Sequence, residues 1–205
     1  YSQLVIFMIN DNYFDKLLKI KTCGRDDIDS DLVKFPYEPT PYCILERLAN
    51  TGYITKKSTL IDYGCGKGRV SIYMTHQTGC KSIGIDFNDR LLNRALDNIL
   101  NFKAKNKISF INADASKYIL PDTVNSCYFF NPFCGEVLSD VIKQIYESYN
   151  RVNRDILLFF YYPSIKYINY LNKQANIELI DEIDCSDIFK NDPNEKILIY
   201  MIKGH

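Results

Sequence analysis

The sequence has no excess of charge, because 25 basic residues are matched by 25 acidic ones. The balance is also local, since residues 1–58 contain eight of each sign. A protein that neutralises many phosphates normally carries a cluster of Lys and Arg. The charge balance therefore favours a protein or a small molecule as partner over a broad nucleic-acid interface. A short basic groove for nucleic acid is still possible.

Histidines and long apolar runs are also scarce. Only two histidines accompany seven cysteines, and no cysteine pair is spaced as C-x-x-C, so we expect no metal site. An odd number of unpaired cysteines indicates small core residues in a reducing compartment, and we expect a cytoplasmic protein. The apolar runs at 4–9 and 156–162 are too short to cross a bilayer, so we expect no signal peptide and no membrane partner.

The sequence does contain short apolar runs that alternate with helical patterns from residue 59 onward. The predicted strands cover residues 60–63, 82–86, 108–112, 126–130, 155–161, 177–184 and 196–202. Helical patterns lie at 69–77, 90–102, 136–149 and 164–174. This alternation indicates a mostly parallel sheet covered on both faces. A turn at 191–194 before the last strand predicts an antiparallel pair at the end.

Residues 1–58 have a different pattern, with one or two helices, an acidic loop at 26–29 and a helix that ends near residue 49. Thr40 suits the N-cap of that helix and Pro41 its first position. We interpret residues 1–58 as a helical flank or lid without a core of its own. It would belong to the same domain as residues 59–205.

The strongest local signal is the turn Leu60-Ile-Asp-Tyr-Gly-Cys-Gly-Lys-Gly-Arg-Val70, which leads from a strand into a helix. Its glycines let a ligand approach the backbone, and the helix N-terminus offers unpaired N–H groups to an anion. A dinucleotide fingerprint needs G-x-G-x-x-G, but here the third glycine comes one residue early. The spacing therefore disfavours an NAD-dependent oxidoreductase.

Two acidic strand ends follow the glycine turn. The second strand ends in Asp86, and the third is followed by Ala113-Asp114-Ala115. A carboxylate at the end of the second strand can accept the hydroxyls of a ribose. Each acid alone could equally be a loop residue or a helix cap. Three such features in order, on successive strands, favour a shared ligand site.

The pattern D-x-G-x-G-x-G with these two acids resembles the class I methyltransferases, which use S-adenosylmethionine. The resemblance covers residues 59–203, with motifs at 60–133, and implies an α/β Rossmann-like three-layer sandwich. Its seven-stranded sheet would be mostly parallel with an antiparallel last strand, plus an N-terminal helical extension. The residues that it implies for the cofactor are Asp62, Gly64, Cys65, Gly66, Gly68, Asp86, Phe87, Asp114, Ala115 and Asn131.

The resemblance also gives these residues separate roles. The glycine loop would hold the aminocarboxypropyl arm, with Asp62 near its amino group. Asp86 would bind the ribose, Phe87 would pack on the adenine, and Asp114 would meet the adenine amino group. Arg69 follows the loop, where a cation opposes the helix dipole and needs a carboxylate partner. That partner would be either the cofactor's carboxylate or a protein acid such as Asp62.

Asn131-Pro132-Phe133 follows the fourth strand, at the sheet edge where ligands of open α/β sheets bind. It resembles the (Asp/Asn)-Pro-Pro-(Tyr/Phe) motif of methyltransferases that act on planar amino groups. There the Asn accepts a hydrogen bond from the target and the aromatic stacks on it. One proline is absent here, so the loop should differ. The alternative is that Asn-Pro only ends the strand.

The segment Tyr37-Glu38-Pro39-Thr40 is the second catalytic candidate. It is faintly similar to a Tyr- and Thr-bearing segment that closes over the cofactor in several methyltransferases, including the non-SET histone lysine enzymes. Tyr37 would then lie by the sulfonium. Residues 161–163 end the fifth strand at the ligand edge and are candidates to line an acceptor cleft. The resulting hypothesis is methyl transfer to an unidentified acceptor, and the alternative is a cofactor-binding module without catalysis.

Overall fold

A computed structural model of the chain describes residues 3–25, 37–100 and 102–204, with side chains from residue 11 onward within those ranges. The acidic loop predicted at 26–29 lies outside the described residues.

A seven-stranded sheet forms the centre of the molecule. The strands are β1 Thr59–Tyr63, β2 Lys81–Asp86, β3 Ile108–Asn112, β4 Ser126–Phe129, β5 Ile156–Tyr161, β6 Glu178–Asp184 and β7 Lys196–Ile202. Their order is β3-β2-β1-β4-β5-β7-β6. Pairs among β1 to β5 are parallel, whereas β7 runs antiparallel to both β5 and β6. The predicted sheet, with its antiparallel last strand, is confirmed.

Six α-helices surround the sheet in the described part of the chain. They are α1 Gln3–Leu18, α2 Tyr42–Asn50, α3 Arg69–Thr78, α4 Asp89–Ile99, α5 Gly135–Arg151 and α6 Ile165–Leu171. Side-chain caps fix two of the starts: the Asn88 side chain accepts from the first turn of α4, and the Ser164 side chain accepts from Tyr167 N–H at α6. Among the described residues, none of the helices has the length and apolarity needed to span a membrane.

The sheet separates two apolar cores, which accounts for the burial of every residue of β1. Along β1, Leu60 packs into the core under α1, α2 and α3, while Ile61 and Tyr63 pack into the core under α5 and α6. The N-terminal flank contributes Leu18 and Leu45 to the first of these cores. Through these side chains the flank shares the core of the sheet.

Arg69, in the first turn of α3, holds the flank against the glycine turn. Its side chain is 2% exposed and forms an ion pair with Asp11 of α1 at 2.5 Å, with Asp15 at 3.9 Å. It also donates to the Thr22 hydroxyl at 2.7 Å and lies over the Tyr42 ring at 4.3 Å. The suggestion of Asp62 as its carboxylate partner is therefore wrong, because the acids come from α1.

Thr40 does not cap α2, contrary to the sequence prediction. The helix begins at Tyr42, with Pro41 at the N-cap position and no side-chain cap. The Thr40 hydroxyl is instead hydrogen-bonded to the Tyr128 hydroxyl at 2.9 Å, and its carbonyl accepts from Arg69. A buried tyrosine hydroxyl needs a hydrogen-bond partner, and Thr40 supplies it.

We expect Arg69→Met to lower the free energy of unfolding by about 3–5 kcal/mol, because it leaves the charges of Asp11 and Asp15 without their cation in a largely buried position. Urea unfolding measures the change. The matched control is Arg94→Met, whose side chain is 69% exposed in its pair with Asp97 and whose loss should cost less than about 1 kcal/mol. Equal effects of the two substitutions would contradict this account.

Candidate active site

A cavity opens at the carboxyl ends of β1, β2 and β4, beside the point where the strand order changes from β1 to β4. We call it the inner cavity; its volume is about 110 Å³. It brings together ten of the residues predicted from sequence: Tyr37, Asp62, Gly64, Cys65, Asp86, Phe87, Ala115, Asn131, Pro132 and Phe133. Three others, Gly66, Gly68 and Asp114, are not among its lining residues.

The glycine loop leaves no room for side chains where it turns under the cavity. Gly64 and Gly66 have φ values of 74° and 53°, which favour glycine. A Cβ on Gly64 would lie 2.6 Å from the Pro132 Cβ, and one on Gly66 would overlap the Tyr37 ring. The loop is thus in close contact with both the segment after β4 and the N-terminal flank.

Asp86 lies at the end of β2 with its carboxylate facing the glycine loop. One oxygen accepts from Gly66 N–H at 2.8 Å and the other from Asn88 N–H at 2.9 Å. Burial raises the pKa of this carboxyl, while the hydrogen bonds from Asn88 and Gly66 oppose the shift. Asp86 therefore fixes the loop and keeps lone pairs for a ligand in the cavity.

Asp62 is the second buried carboxyl of the inner cavity and is 3% exposed. Burial raises its pKa to about 7, the Ser71 hydroxyl lowers it through a hydrogen bond, and the nearby Asp86 raises it. The Ser71 Oγ donates at 3.4 Å. A cationic partner would stabilise the ionised form of this buried carboxyl and bring its pKa back toward the ordinary value.

Asp114 points away from the cavity. Its carboxylate accepts from the Ser116 hydroxyl at 2.7 Å and forms an exposed pair with Lys117 at 3.5 Å. The side-chain hydrogen bond from Ser116 is the main cause that lowers its pKa. The neighbouring Ala113 and Ala115 line the cavity instead, so the predicted adenine contact by the Asp114 carboxylate has no counterpart in this geometry and stays a prediction.

The Asn131 amide joins the loops that follow β4 and β5. Its nitrogen donates to the Tyr162 carbonyl, and its oxygen accepts from Ser164 N–H at 3.1 Å. Both Asn131 and Tyr162 have positive φ, at 40° and 48°. Both polar atoms of the amide are thus already engaged. This supports a positioning role, and the predicted contact with a target N–H stays a prediction.

Phe133 is 8% exposed and packs edge-on against the Tyr63 and Phe129 rings, with centroids 6.4 and 6.3 Å away. Most of its ring is therefore part of the core under α5. Pro132 lies against Gly64. These contacts make the segment after β4 a rigid wall.

The Tyr37 ring covers the glycine loop from the flank side. Its hydroxyl donates to the Thr22 carbonyl at 2.8 Å, and the Lys67 ammonium lies 4.6 Å from the ring centroid. Glu38, Pro39 and Thr40 continue along the cavity. The segment 37–40 thus forms one wall of the site.

A wider cleft of about 1130 Å³ adjoins the inner cavity, and we call it the outer cleft. Its lining includes Tyr161 and Tyr162, as the sequence indicated, but not Pro163. The outer cleft also contains Glu38, which lies in the candidate segment 37–40 but was given no role of its own from sequence, and Glu195, which was not identified from sequence. The antiparallel direction of β7 was the available signal for Glu195, because such a strand begins at the edge where the parallel strands end. No cluster of His, Cys, Asp and Glu suited to a metal occurs among the described residues.

A family model described as a methyltransferase domain matches residues 60–155. The fold is similar to that of an RNA methyltransferase from Salinibacter ruber solved with S-adenosyl-L-homocysteine, with a TM-score of 0.64 and 14% identity over 82% of this chain and 95% of that one. Residues 60–155 thus match a methyltransferase domain, and the chain has the Rossmann-like fold of the class I methyltransferases. The 23S rRNA methyltransferase ErmE also has a similar fold, with a TM-score of 0.55 and 13% identity over 82% of this chain and 70% of ErmE.

A sequence relative is the protein-lysine N-methyltransferase of Saccharolobus islandicus (strain REY15A). The two are 32% identical over 65 residues, which is 31% of this chain. The match spans 40% of that relative's length. At the identities given above, the solved structures show the fold of this chain.

We expect the stability of this protein to fall as pH rises from about 4 to about 7, because Asp62 is protonated in the folded protein and ionised in the unfolded chain across that window. The folded state then binds more protons, so the slope of unfolding free energy against pH is negative, and it flattens above pH 7. Asp62→Asn should make this slope less negative. Across the window, the free energy of unfolding of the variant should rise by roughly 2–4 kcal/mol relative to that of the wild type.

Urea unfolding at pH 4.5, 6 and 7.5 measures the two slopes. Asp140→Asn, on the exposed side of α5, is the control and should run parallel to wild type. A parallel curve for Asp62→Asn would show that Asp62 does not titrate in this window.

Proposed function

We propose that this methyltransferase transfers a methyl group from S-adenosylmethionine to an acceptor that enters through the outer cleft. One observation carries the proposal: two buried carboxyls, Asp62 and Asp86, end adjacent parallel strands and face one cavity beside the glycine loop. This arrangement supports a ligand that has both hydroxyl groups and a cationic group.

The residues of the inner cavity fit that cofactor chemically. Asp86 retains lone pairs for ribose hydroxyls, and the raised pKa of Asp62 favours an adjacent ammonium. The N-terminus of α3 supplies N–H groups for the cofactor's carboxylate. Phe87 is 42% exposed at the cavity, and together with Ala115 it offers apolar surface for a flat base.

The inner cavity is smaller than ligand pockets of about 300–1,000 Å³, because the Tyr37 ring lies on Gly66. Cofactor entry would therefore require the segment 37–40 to move outward. One hydroxyl bond to Thr22 and the contact with Lys67 hold the ring in place. This supports the prediction that Tyr37 lies close to the reacting part of the cofactor.

The cofactor supplies a methyl group on a sulfonium, whose leaving group is a neutral thioether. The chain's own residues then have mainly to position the acceptor, and positioning can lower a barrier by about 7–11 kcal/mol. Asn131 contributes by fixing the loops after β4 and β5 against each other. Phe130 and Phe133 line both cavities and form apolar walls where they meet.

A module that binds the cofactor without transferring its methyl group is the second candidate. It is favoured by the Asn131 amide, whose two polar atoms are used within the protein. The two candidates differ in whether S-adenosylhomocysteine forms from S-adenosylmethionine when cell extract supplies acceptors. A rate of S-adenosylhomocysteine formation above the rate measured without extract supports transfer.

We expect S-adenosylmethionine and S-adenosylhomocysteine to bind the wild type, and Asp86→Asn to weaken both by at least about tenfold, because a charge-assisted hydrogen bond to the ribose is lost. Isothermal titration calorimetry measures the affinities, and NAD should not compete. Asp114→Asn should weaken binding less than Asp86→Asn, since its carboxylate points away from the cavity.

Glu147→Gln, exposed on α5, is the matched control, and thermal unfolding of each variant verifies the fold. Absence of binding to the wild type, or a preference for NAD, would overturn the proposed cofactor.

A further inference from the structure

We infer that the outer cleft binds the aliphatic amine of a lysine side chain presented by a protein or peptide. Glu38 and Glu195 would be its anionic contacts, and Phe130, Tyr161 and Tyr162 its aromatic walls. The inference rests on the proposed function and names the acceptor class for that same site.

The position of the acceptor follows from the contact between the two cavities. Five residues line both of them: Glu38, Pro39, Phe130, Asn131 and Phe133. Methyl transfer requires the reacting atoms to approach within about 3–3.5 Å, so the acceptor atom must reach this junction. Glu38 is the one ionisable side chain among these five, which puts a negative charge beside the acceptor.

Glu195, at the start of β7, adds a second carboxylate to the outer cleft. The Tyr161 hydroxyl donates to it at 2.7 Å and orients it. Burial raises the pKa of Glu195, the bond from Tyr161 lowers it, and the nearby Asp192 and Glu38 raise it further. These acids therefore repel one another, and a bound cation would relieve the repulsion.

Aromatic rings wall the same region. The Phe130 and Tyr161 centroids are 4.6 Å apart, and those of Tyr161 and Tyr162 are 6.3 Å apart. The Tyr162 hydroxyl donates to Asp192 at 3.1 Å. A cation within about 6 Å of such rings is attracted to their faces, and methylation of an ammonium preserves that attraction.

The charges around the outer cleft leave an excess of one acidic residue. Arg25 forms an exposed pair with Glu38 at 3.8 Å, and Lys166 is exposed on α6. These two bases balance the lining acids Glu38 and Glu195, because the third lining acid, Asp11, is paired with Arg69. Asp192, which accepts from the Tyr162 hydroxyl, adds one further negative charge beside the cleft. This acidic excess favours a basic protein segment over an RNA phosphate. The volume of about 1130 Å³ also admits residues on either side of a lysine.

The proposed methyl transfer needs no reactant other than the lysine amine and S-adenosylmethionine. The lysine ammonium first releases a proton to solvent in the open cleft, and its nitrogen lone pair then forms the N–C bond. The C–S bond breaks, and its electron pair stays on sulfur, which becomes neutral. The positive charge ends on the methylated amine, where Glu38 and Glu195 stabilise it.

The test titrates protein saturated with S-adenosylhomocysteine with the peptide acetyl-Gly-Gly-Lys-Gly-Gly-amide, followed by NMR. The peptide with norleucine in place of lysine, which has four side-chain carbons but no terminal ammonium, is the ligand control. We expect the lysine peptide to bind at least about fivefold more tightly, and Glu38→Gln and Glu195→Gln each to weaken it by roughly three- to tenfold. Glu178→Gln, exposed on β6, should change nothing.

Equal binding of the two peptides, or no binding of either while S-adenosylhomocysteine binds, would overturn the amine site and leave the proposed function intact. Displacement of the lysine peptide by a ribosomal RNA oligonucleotide, or tighter binding of that RNA, would also overturn it. Failure of S-adenosylhomocysteine to bind the wild type would instead overturn the proposed function on which the site rests.

Discussion

The buried guanidinium of Arg69 is the interaction on which the rest of the site depends. It lies in the first turn of α3, directly after the glycine loop, and pairs with Asp11 of α1. It also donates to the Thr22 hydroxyl and to the Thr40 carbonyl. These bonds hold two segments of the flank next to the inner cavity. A cation in this position is unfavourable for the helix dipole, and the acids of α1 offset that cost. The ion pair and the hydrogen bonds of Arg69 therefore hold the flank and the glycine loop together.

This connection between the flank and the glycine loop explains why the site has an inner cavity and an outer cleft. The flank brings Tyr37 over Gly66 and Glu38 to the junction, whereas the loops after β4 and β5, joined by Asn131, form the opposite wall. The inner cavity, proposed to hold the cofactor, depends on backbone geometry at the glycine turn. The outer cleft, proposed to hold the acceptor, depends on side chains from three separate segments of the chain.

The sequence allowed the sheet and most residues of the inner cavity to be predicted because their signals are local. Apolar runs with turns between them mark strands, and Asp62 and Asp86 follow from their position at strand ends. The partners of Arg69 and Thr40 were missed because Asp11 and Tyr128 are distant along the chain. From sequence alone, Thr40 suits the N-cap of α2, and the pattern does not show that the buried Tyr128 hydroxyl takes its hydrogen bond instead.

Asn131 shows the same limit at the candidate site. The motif Asn-Pro-Phe suggested a target contact, but the amide bonds residues at 162 and 164, and nothing in a three-residue pattern reveals that. Its catalytic assignment, like those of Tyr37, Pro132 and Phe133, is still a prediction. Identifying Glu195 required the strand direction of β7 as well as the residue type.

The reversed direction of β7 places residues from late in the chain at the outer cleft. Glu195 lines this cleft, and the neighbouring Asp192 accepts from the Tyr162 hydroxyl. The connection that carries them is separate in sequence from the glycine loop, Asp62 and Asp86. Under the proposed function, substitutions in that connection would alter the surroundings of the acceptor without replacing any lining residue of the inner cavity.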